Sequence, residues 1–288
     1  MQIVSDRGMD LVDAQMQGLN IHLAPLLITL AGKTYRGGVD IDADTFYQLL
    51  EKTNDFPTTA QPSVGDLAEI YRKLAQTDPD ILSLHISSGL SGTINAARLA
   101  AQQVPEANVT FIDTLSLSGE QGWQVQAAAR AVRAGWEKER VLALVEQVRA
   151  ASDAHFTVAT MRYLINGGRI GHIKGLLASI LNIRPMIGVD KVTGKYEQLG
   201  QARTQKAAFQ KMVDLAAEHQ PVGSAIRAQV FHGRNLEGAA QLQEYMNARF
   251  SCQWEPTGPL APVLGAHTGP GLVALIYGPA AAYADIPA

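Results

Sequence analysis

Four polar segments carry most of the side chains that could bind a charged ligand. The clearest runs from Ser87 through Gly92 to Thr93, where small hydroxyl residues follow an apolar run and precede a helical pattern. Unpaired backbone N–H groups at a helix N-terminus attract phosphates and carboxylates. The same residues also suit an ordinary capped helix. From residue types alone, both interpretations of this turn stand.

The other three segments give weaker signals. Gly167-Gly168 predicts the end of a short helix, and Arg169 then offers a guanidinium that suits carboxylate or phosphate, although a solvated arginine is the commoner outcome. His267 lies in a predicted glycine-rich loop before an apolar strand, and its surrounding glycines favour a functional role over a structural one. Thr58-Thr59, which follows Pro57, predicts a rigid loop that leads to an N-cap at Ser63.

The signatures of common cofactor sites are missing from the sequence. There is no G-x-x-x-x-G-K-[ST] phosphate loop and no Gly-x-Gly-x-x-Gly after the first predicted strand. The seven histidines show neither H-x-x-x-H nor H-E-x-x-H spacing, and Cys252 is the single cysteine. A disulfide framework and a cysteine metal cluster are therefore excluded, and we expect no metal and no cofactor.

Composition narrows the class of protein further. The chain has 288 residues, 47% apolar and 18% charged, with a net charge of −3. This charge gives no general reason to expect nucleic acid as a partner. No segment approaches the roughly 18 continuous apolar residues of a membrane span, and the N-terminus does not resemble a signal peptide. We therefore expect no membrane segment and a cytoplasmic location.

The predicted elements indicate an α/β protein with two domains. Strand, turn and helix alternate through the first half, which predicts a parallel sheet covered by helices, with ligands at the carboxyl ends of the strands. In the second half, a hairpin turned at Thr193-Gly194 is mixed with helices, which predicts an α+β domain. We place the domains at residues 1–153 and 154–288.

Taken in order, these segments resemble the DegV family over essentially the whole chain. The resemblance depends on eight short motifs whose order is more specific than any one of them. They are Asp6, Thr58-Thr59-Ala60-Gln61-Pro62-Ser63, Ser88-Gly89-Leu90-Ser91-Gly92-Thr93, Asp113, Gly167-Gly168-Arg169-Ile170, Ile183-Arg184-Pro185, Ala202-Arg203-Thr204 and His267-Thr268-Gly269-Pro270-Gly271.

The resemblance implies a long-chain fatty acid, such as palmitate, bound without covalent chemistry between the two domains. Matched motif by motif, the carboxylate contacts would be Thr59, Ser91 with Gly92 beside it, and His267. Arg169 and Arg203 would lie near the ligand head and a partner. Some members of the family are the fatty-acid-binding subunit of a bacterial fatty acid kinase, whose separate ATP-dependent subunit phosphorylates the bound carboxylate. The chain itself is then expected not to be an enzyme.

Two motifs depart from the family pattern, and both departures concern loop geometry. The usual Thr-Asp-Ser-Thr is Ser5-Asp6-Arg7-Gly8 here, and Ala60 replaces a serine. The affinity itself needs only the acyl chain, because burying about 12 methylenes at about 0.8 kcal/mol each contributes about 10 kcal/mol before ordering costs. The run from Leu176 to Ile183 is a candidate tunnel wall, and plain core is an equal alternative.

A serine hydrolase is the main alternative function. Ser91, Asp113 and His267 follow the chain order of α/β-hydrolase triads, although the sequence around Ser91 lacks the G-x-S-x-G spacing of a nucleophile elbow. A lipid-responsive regulatory module without an enzyme partner is a third alternative.

Overall fold

A computed structural model describes residues 1–171, 173 and 183–288 of the chain. Its strands are β1 (Gln2–Asp6), β2 (Ile21–Ala24), β3 (Leu27–Leu30), β4 (Lys33–Arg36), β5 (Thr58–Ala60), β6 (Asp80–His85), β7 (Asn108–Asp113), β8 (Asp153–Thr157), β9 (Arg184–Val189), β10 (Tyr196–Ala202), β11 (Ala225–His232), β12 (Ser251–Trp254), β13 (Gly258–Pro259) and β14 (Val273–Pro279).

Helices alternate with these strands. They are α1 (Asp13–Met16), α2 (Ala43–Lys52), α3 (Val64–Ala75), α4 (Thr93–Ala101), α5 (Ser118–Arg133), α6 (Lys138–Ala151), α7 (Arg162–Gly167), α8 (Gln205–His219), α9 (Leu236–Asn247) and α10 (Pro262–Thr268), with a 3₁₀ helix at Ala280–Tyr283.

The first half of the chain forms a parallel sheet in the order β2-β1-β6-β7, so the predicted parallel sheet is confirmed. Ile3 on β1 lies beside Ile21 of β2 on one side and Leu82 of β6 on the other. Because all four strands run in the same direction, the residues that follow β1, β6 and β7 meet at one edge. The turn that begins at Ser87 starts from this edge.

The second half forms a mixed sheet in the order β10-β9-β8-β14-β11-β12, and β13 also pairs with β11. Pairing is antiparallel from β10 to β11, whereas β12 and β13 run parallel to β11. The predicted hairpin at Thr193-Gly194 is confirmed as the connection between β9 and β10. The second sheet begins with β8 at Asp153, and the division into two domains at that point stays a prediction.

A small third sheet, in the order β4-β3-β5, corrects one prediction. Thr58–Ala60 is a strand rather than a rigid loop, and Thr59 pairs with Ile28 of β3. Pro57 and Pro62 lie outside the strand, so they leave its ladder intact, and β-branched threonines fit a pleated strand well. The predicted cap at Ser63 is confirmed, since its Oγ accepts the N–H of Asp66 at 3.0 Å.

Helix α5 packs between the two larger sheets. Its polar side chains are buried along with its apolar ones, including Glu120, Gln121 and Gln124. Trp123 donates its Nε1–H to Oε1 of Gln229 on β11 at 2.7 Å. Gly119 lies so close to the second sheet that a Cβ there would overlap Phe231 and come within 3.1 Å of Ile276. The absence of a side chain at Gly119 therefore sets how closely α5 and the second sheet approach.

Replacing Gly119 with alanine should destabilise the protein by about 1–3 kcal/mol, the usual cost of overpacking a core. This loss exceeds the gain of about 1 kcal/mol that alanine brings to a helix interior. Urea denaturation would measure the free energy of unfolding. Gly65→Ala is the matched control, because its Cβ on α3 meets nothing closer than 3.7 Å. Equal stability of the two variants would contradict the close packing of α5.

Candidate functional site

A cavity of about 40 Å³ with both polar and apolar walls, the head cavity, lies between the two larger sheets and beside the small one. Four of the predicted site residues line it, namely Thr59, Ser91, Arg169 and His267. Gln61 and Tyr196 complete its polar lining, and its remaining walls include Leu26, Leu90 and Leu264. Residues more than 200 positions apart in the chain therefore surround one small polar space.

The central polar contact joins Thr59 to His267. Oγ1 of Thr59 lies 2.8 Å from Nε2 of His267. His267 is in the last turn of α10, so the predicted loop at this position is wrong. Pro262 at the start of this segment favours helix formation, and the helix ends only at Gly269, which has a positive φ of 70°.

His267 is held as a neutral imidazole. Burial, together with the nearby charge of Arg169, lowers its pKa to about 4. Its Nδ1 is buried without a hydrogen-bond partner among the described residues. A Cβ on Gly167 would overlap this Nδ1, which gives a physical reason for glycine there.

Ser91 reaches the cavity from the turn before α4. Its Oγ lies 2.8 Å from Oγ1 of Thr93, and Gly92 is the N-cap of α4, as the sequence predicts. A Cβ on Gly92 would overlap the side-chain oxygen of Gln61, so glycine allows Gln61 to lie against the start of the helix. The N-terminal end of α4 is therefore close to the polar side of the head cavity.

The second sheet holds this turn from the other side. Ser87 is fully buried, and its Oγ donates to the carbonyl of Gly194 in the β9–β10 hairpin at 2.7 Å. A Cβ on Gly89 would lie 2.7 Å from the backbone carbon of Gly194. The turn that carries Ser91 is thus fixed between strand β6 and a hairpin of the other sheet.

The two predicted arginines have different positions. Arg169 is exposed, lines the head cavity, and donates its Nη1–H to the carbonyl of Gly167 at 2.8 Å. Arg203 is exposed in the segment between β10 and α8. Within the described ranges, Arg203 does not line the head cavity and forms no ion pair. The geometry therefore brings Arg169, but not Arg203, to the cavity.

An apolar cavity of about 30 Å³, the tail cavity, adjoins the head cavity. Leu117, Tyr196 and Leu264 line both cavities. The remaining walls come mainly from strands β8, β9 and β14, and the sequence analysis missed them. They include Phe156, Val189, Ala274 and Ile276. The available signal was the alternation of Ala154 and Phe156 with polar residues in β8 and the continuous apolar run of β14.

The candidate tunnel wall from Leu176 to Ile183 lies mostly outside the described residues. Ile183, which is described, is half-buried and packs against the main core.

The contacts around Ser91 give no support to a hydrolase. Asp113 accepts the backbone N–H groups of Ser88 at 3.2 Å and Leu115 at 3.0 Å. His267 contacts Thr59, while Ser91 contacts Thr93. A nucleophile needs a hydrogen-bonded base, and that base needs an orienting partner. Neither link of the triad is present in the described part of the chain.

Among the described residues, no group of three or more His, Cys, Asp or Glu side chains could hold a metal ion. None of the helices in the same residues is both long and apolar enough to cross a membrane.

The fold and the joined polar and apolar cavities define an α/β protein with a site suited to an amphipathic small molecule. The chain belongs to the DegV family, because residues 1–280 match the family model described as "Uncharacterised protein, DegV family". A DegV domain-containing protein of Staphylococcus aureus (strain N315) is 32% identical over 274 residues, covering 95% of this chain and 97% of the relative.

Solved structures share the fold over nearly the full length. A DegV family protein from Thermus thermophilus, described by its fatty acid binding, is 32% identical with a TM-score of 0.88, and the match covers 96% of this chain and 99% of that one. DegV from Bacillus subtilis, described as a fatty acid binding protein, is 27% identical with a TM-score of 0.87 and coverage of 96% and 98%.

The buried neutral His267 should make stability depend on pH. Since its folded pKa of about 4 is below the value of about 6.5 in an unfolded chain, the unfolded state binds the extra proton between these values. Neutral His267 therefore makes its full contribution to the free energy of unfolding above pH 6.5. This contribution, up to about 3 kcal/mol, is lost as pH falls towards 4. In His267→Gln, the free energy of unfolding should fall less between pH 7 and pH 5. An unchanged slope would contradict the assignment.

Proposed function

We propose that this protein binds a long-chain fatty acid, with the carboxylate in the head cavity and the acyl chain in the tail cavity. The observation that carries the proposal is that the two cavities are neighbours and share Leu117, Tyr196 and Leu264 as walls. A space with polar side chains beside an apolar space matches an amphipathic ligand. The fatty acid binding described for the Thermus thermophilus and Bacillus subtilis relatives supports this ligand class.

The polar groups suit a carboxylate, which must be paired if it is to be buried. Thr59 and Ser91 supply hydroxyl donors, and His267 supplies an imidazole with a nitrogen that lacks a partner. Gly92 adds the N-terminus of α4, where backbone N–H groups favour an anion. Arg169 contributes a positive charge at the exposed side of the cavity. A bound carboxylate would also favour the protonated form of His267 and raise its pKa.

The acyl chain requires the tail cavity to widen. Cavities of about 40 and 30 Å³ hold only a few water molecules each, since one water needs about 10–15 Å³. Tyr196 lies at the junction and packs edge-on against Phe156 at 5.4 Å between ring centroids. Burial of about 12 methylenes contributes about 10 kcal/mol, which can offset the cost of moving such side chains.

We further infer that the bound carboxylate is presented to a separate ATP-dependent kinase. This follows from the resemblance to fatty acid kinase subunits, and from the exposure of Arg169 and Arg203. In the described ranges, Arg203 does not line the head cavity. In this proposal it therefore contacts the partner rather than the carboxylate. We also propose that the chain divides into two domains between residues 153 and 154.

Removing a hydrogen-bond donor to the carboxylate should weaken fatty acid binding by about 10- to 100-fold, because hydrogen bonds to charged groups contribute about 1.5–3 kcal/mol. Thr59→Val and His267→Ala test this by titration with palmitate. Thr58→Val is the matched control, because Thr58 is exposed on the same strand and does not line the head cavity. The alcohol analogue hexadecanol should bind all variants alike. Unchanged palmitate affinity in both site variants would show that the carboxylate is bound elsewhere.

The absence of a phosphate-loop motif from the sequence predicts that the protein cannot activate a fatty acid alone. Incubated with palmitate and ATP, the purified protein should form no acyl phosphate, measured by trapping with hydroxylamine. Addition of a bacterial fatty acid kinase subunit should produce it, and Arg203→Ala should slow this step without changing palmitate affinity. Acyl phosphate from the protein alone would overturn the carrier role.

A further inference from the structure

A separate cleft of about 430 Å³ lies on the opposite side of Val263 from the head cavity, and Val263 lines both spaces. Its walls come from the loop after β1, from Gly37-Gly38, from the start of α2 and from the residues that lead into α10. Its volume falls in the range of about 300–1,000 Å³ that is usual for small-molecule sites. The fatty acid proposal makes no use of it.

Arg7 gives this cleft an unpaired positive charge. The side chain is half-buried, and its Nε is buried with no hydrogen-bond partner. Over the residues that the structure describes, no carboxylate lies within ion-pair distance of its guanidinium. Gly38, at φ 69°, approaches so closely that a Cβ would lie 3.0 Å from this Nε. Burial lowers the pKa of Arg7, and the nearby charge of Asp13 partly offsets this effect.

Carboxylates of opposite sign line the same cleft. Asp13 and Asp42 are exposed there. Asp13 forms neither an ion pair nor a side-chain hydrogen bond with the described residues, whereas Oδ1 of Asp42 accepts the N–H of Thr45 at 2.7 Å and leaves Oδ2 for a ligand. Asp10 is engaged, because its Oδ2 accepts from Ser118 Oγ at 2.6 Å and its Oδ1 from the N–H of Ala261 at 2.8 Å. In the part of the chain that is described, the cleft therefore offers a cation, Arg7, and an anion, Asp13, whose charges attract each other without a direct ion pair.

The rest of the lining is apolar. Met9, Leu11, Val12 and Phe231 contribute hydrocarbon and aromatic surface between the charged groups. A simple anion would meet repulsion from Asp13, and a simple cation would meet repulsion from Arg7. A molecule that carries both charges on one short unit, together with an apolar body, complements all three kinds of surface.

We propose that this cleft binds a zwitterionic α-amino acid with an apolar side chain. The ligand carboxylate pairs with Arg7, its ammonium group pairs with Asp13 and Asp42, and its side chain packs against Phe231 and its apolar neighbours. Arg7 stands where the resembled family usually has serine.

Titration calorimetry with L-leucine tests the proposal on the unmodified protein. We expect leucine to bind saturably. The affinity should be at least about tenfold lower for leucinamide, which lacks the carboxylate, and for 4-methylpentanoate, which lacks the ammonium group. No saturable binding of leucine or phenylalanine would overturn the proposal. Equal binding of 4-methylpentanoate and leucine would overturn the zwitterionic class.

Substitutions of charged residues test whether leucine binds in this cleft. Arg7→Gln and Asp13→Asn should each weaken leucine binding by about tenfold or more, whereas Asp44→Asn, on the exposed face of α2 outside the cleft, should not. Leucine binding that survives Arg7→Gln would overturn the assignment. Palmitate binding should persist in Arg7→Gln, and leucine binding should persist in His267→Ala. Failure at one site is thus distinguishable from failure at the other.

Discussion

The rest of the site depends on the hydrogen bonds that the carboxylate of Asp6 forms. This carboxylate is fully buried at the end of β1 and accepts the N–H groups of Gly8 at 2.8 Å and Ile86 at 2.9 Å. Nδ1 of His85 lies 2.9 Å away, and Gln121 of α5 reaches the same carboxylate at 3.4 Å. Because these partners come from a loop, a neighbouring strand and the central helix, one side chain fixes where the turn carrying Ser91 begins.

The hydrogen-bonded chain continues beneath the parallel sheet. Nε2 of His85 lies 2.8 Å from Oγ of Ser83, which in turn lies 2.8 Å from the hydroxyl of Tyr71 on α3. All of these groups are buried, so each would cost free energy without its partner. This polar chain joins helix α3 to the strand ends from which the turn carrying Ser91 begins.

Local signals explain which parts the sequence could predict. The start of α4, the stop at Gly168 and the hairpin at Thr193-Gly194 follow from short-range backbone preferences, and all three are present. The helix around His267 and the strand at Thr59 were missed, because partners distant in sequence stabilise them. The burial of α5 could also not be predicted from the sequence. Its Glu and Gln side chains resemble a solvated surface until the two sheets that enclose them are known.

The contact between Thr59 and His267 spans 208 positions. A ribosome adds residues in order, so the first sheet can assemble long before α10 has been made. During that interval, the threonine strand has no histidine to meet, and the polar side of α5 has no second sheet. A nascent chain thus completes the proposed site only near the end of synthesis, and fragments cut short of α10 would lack His267 however well their sheet is formed.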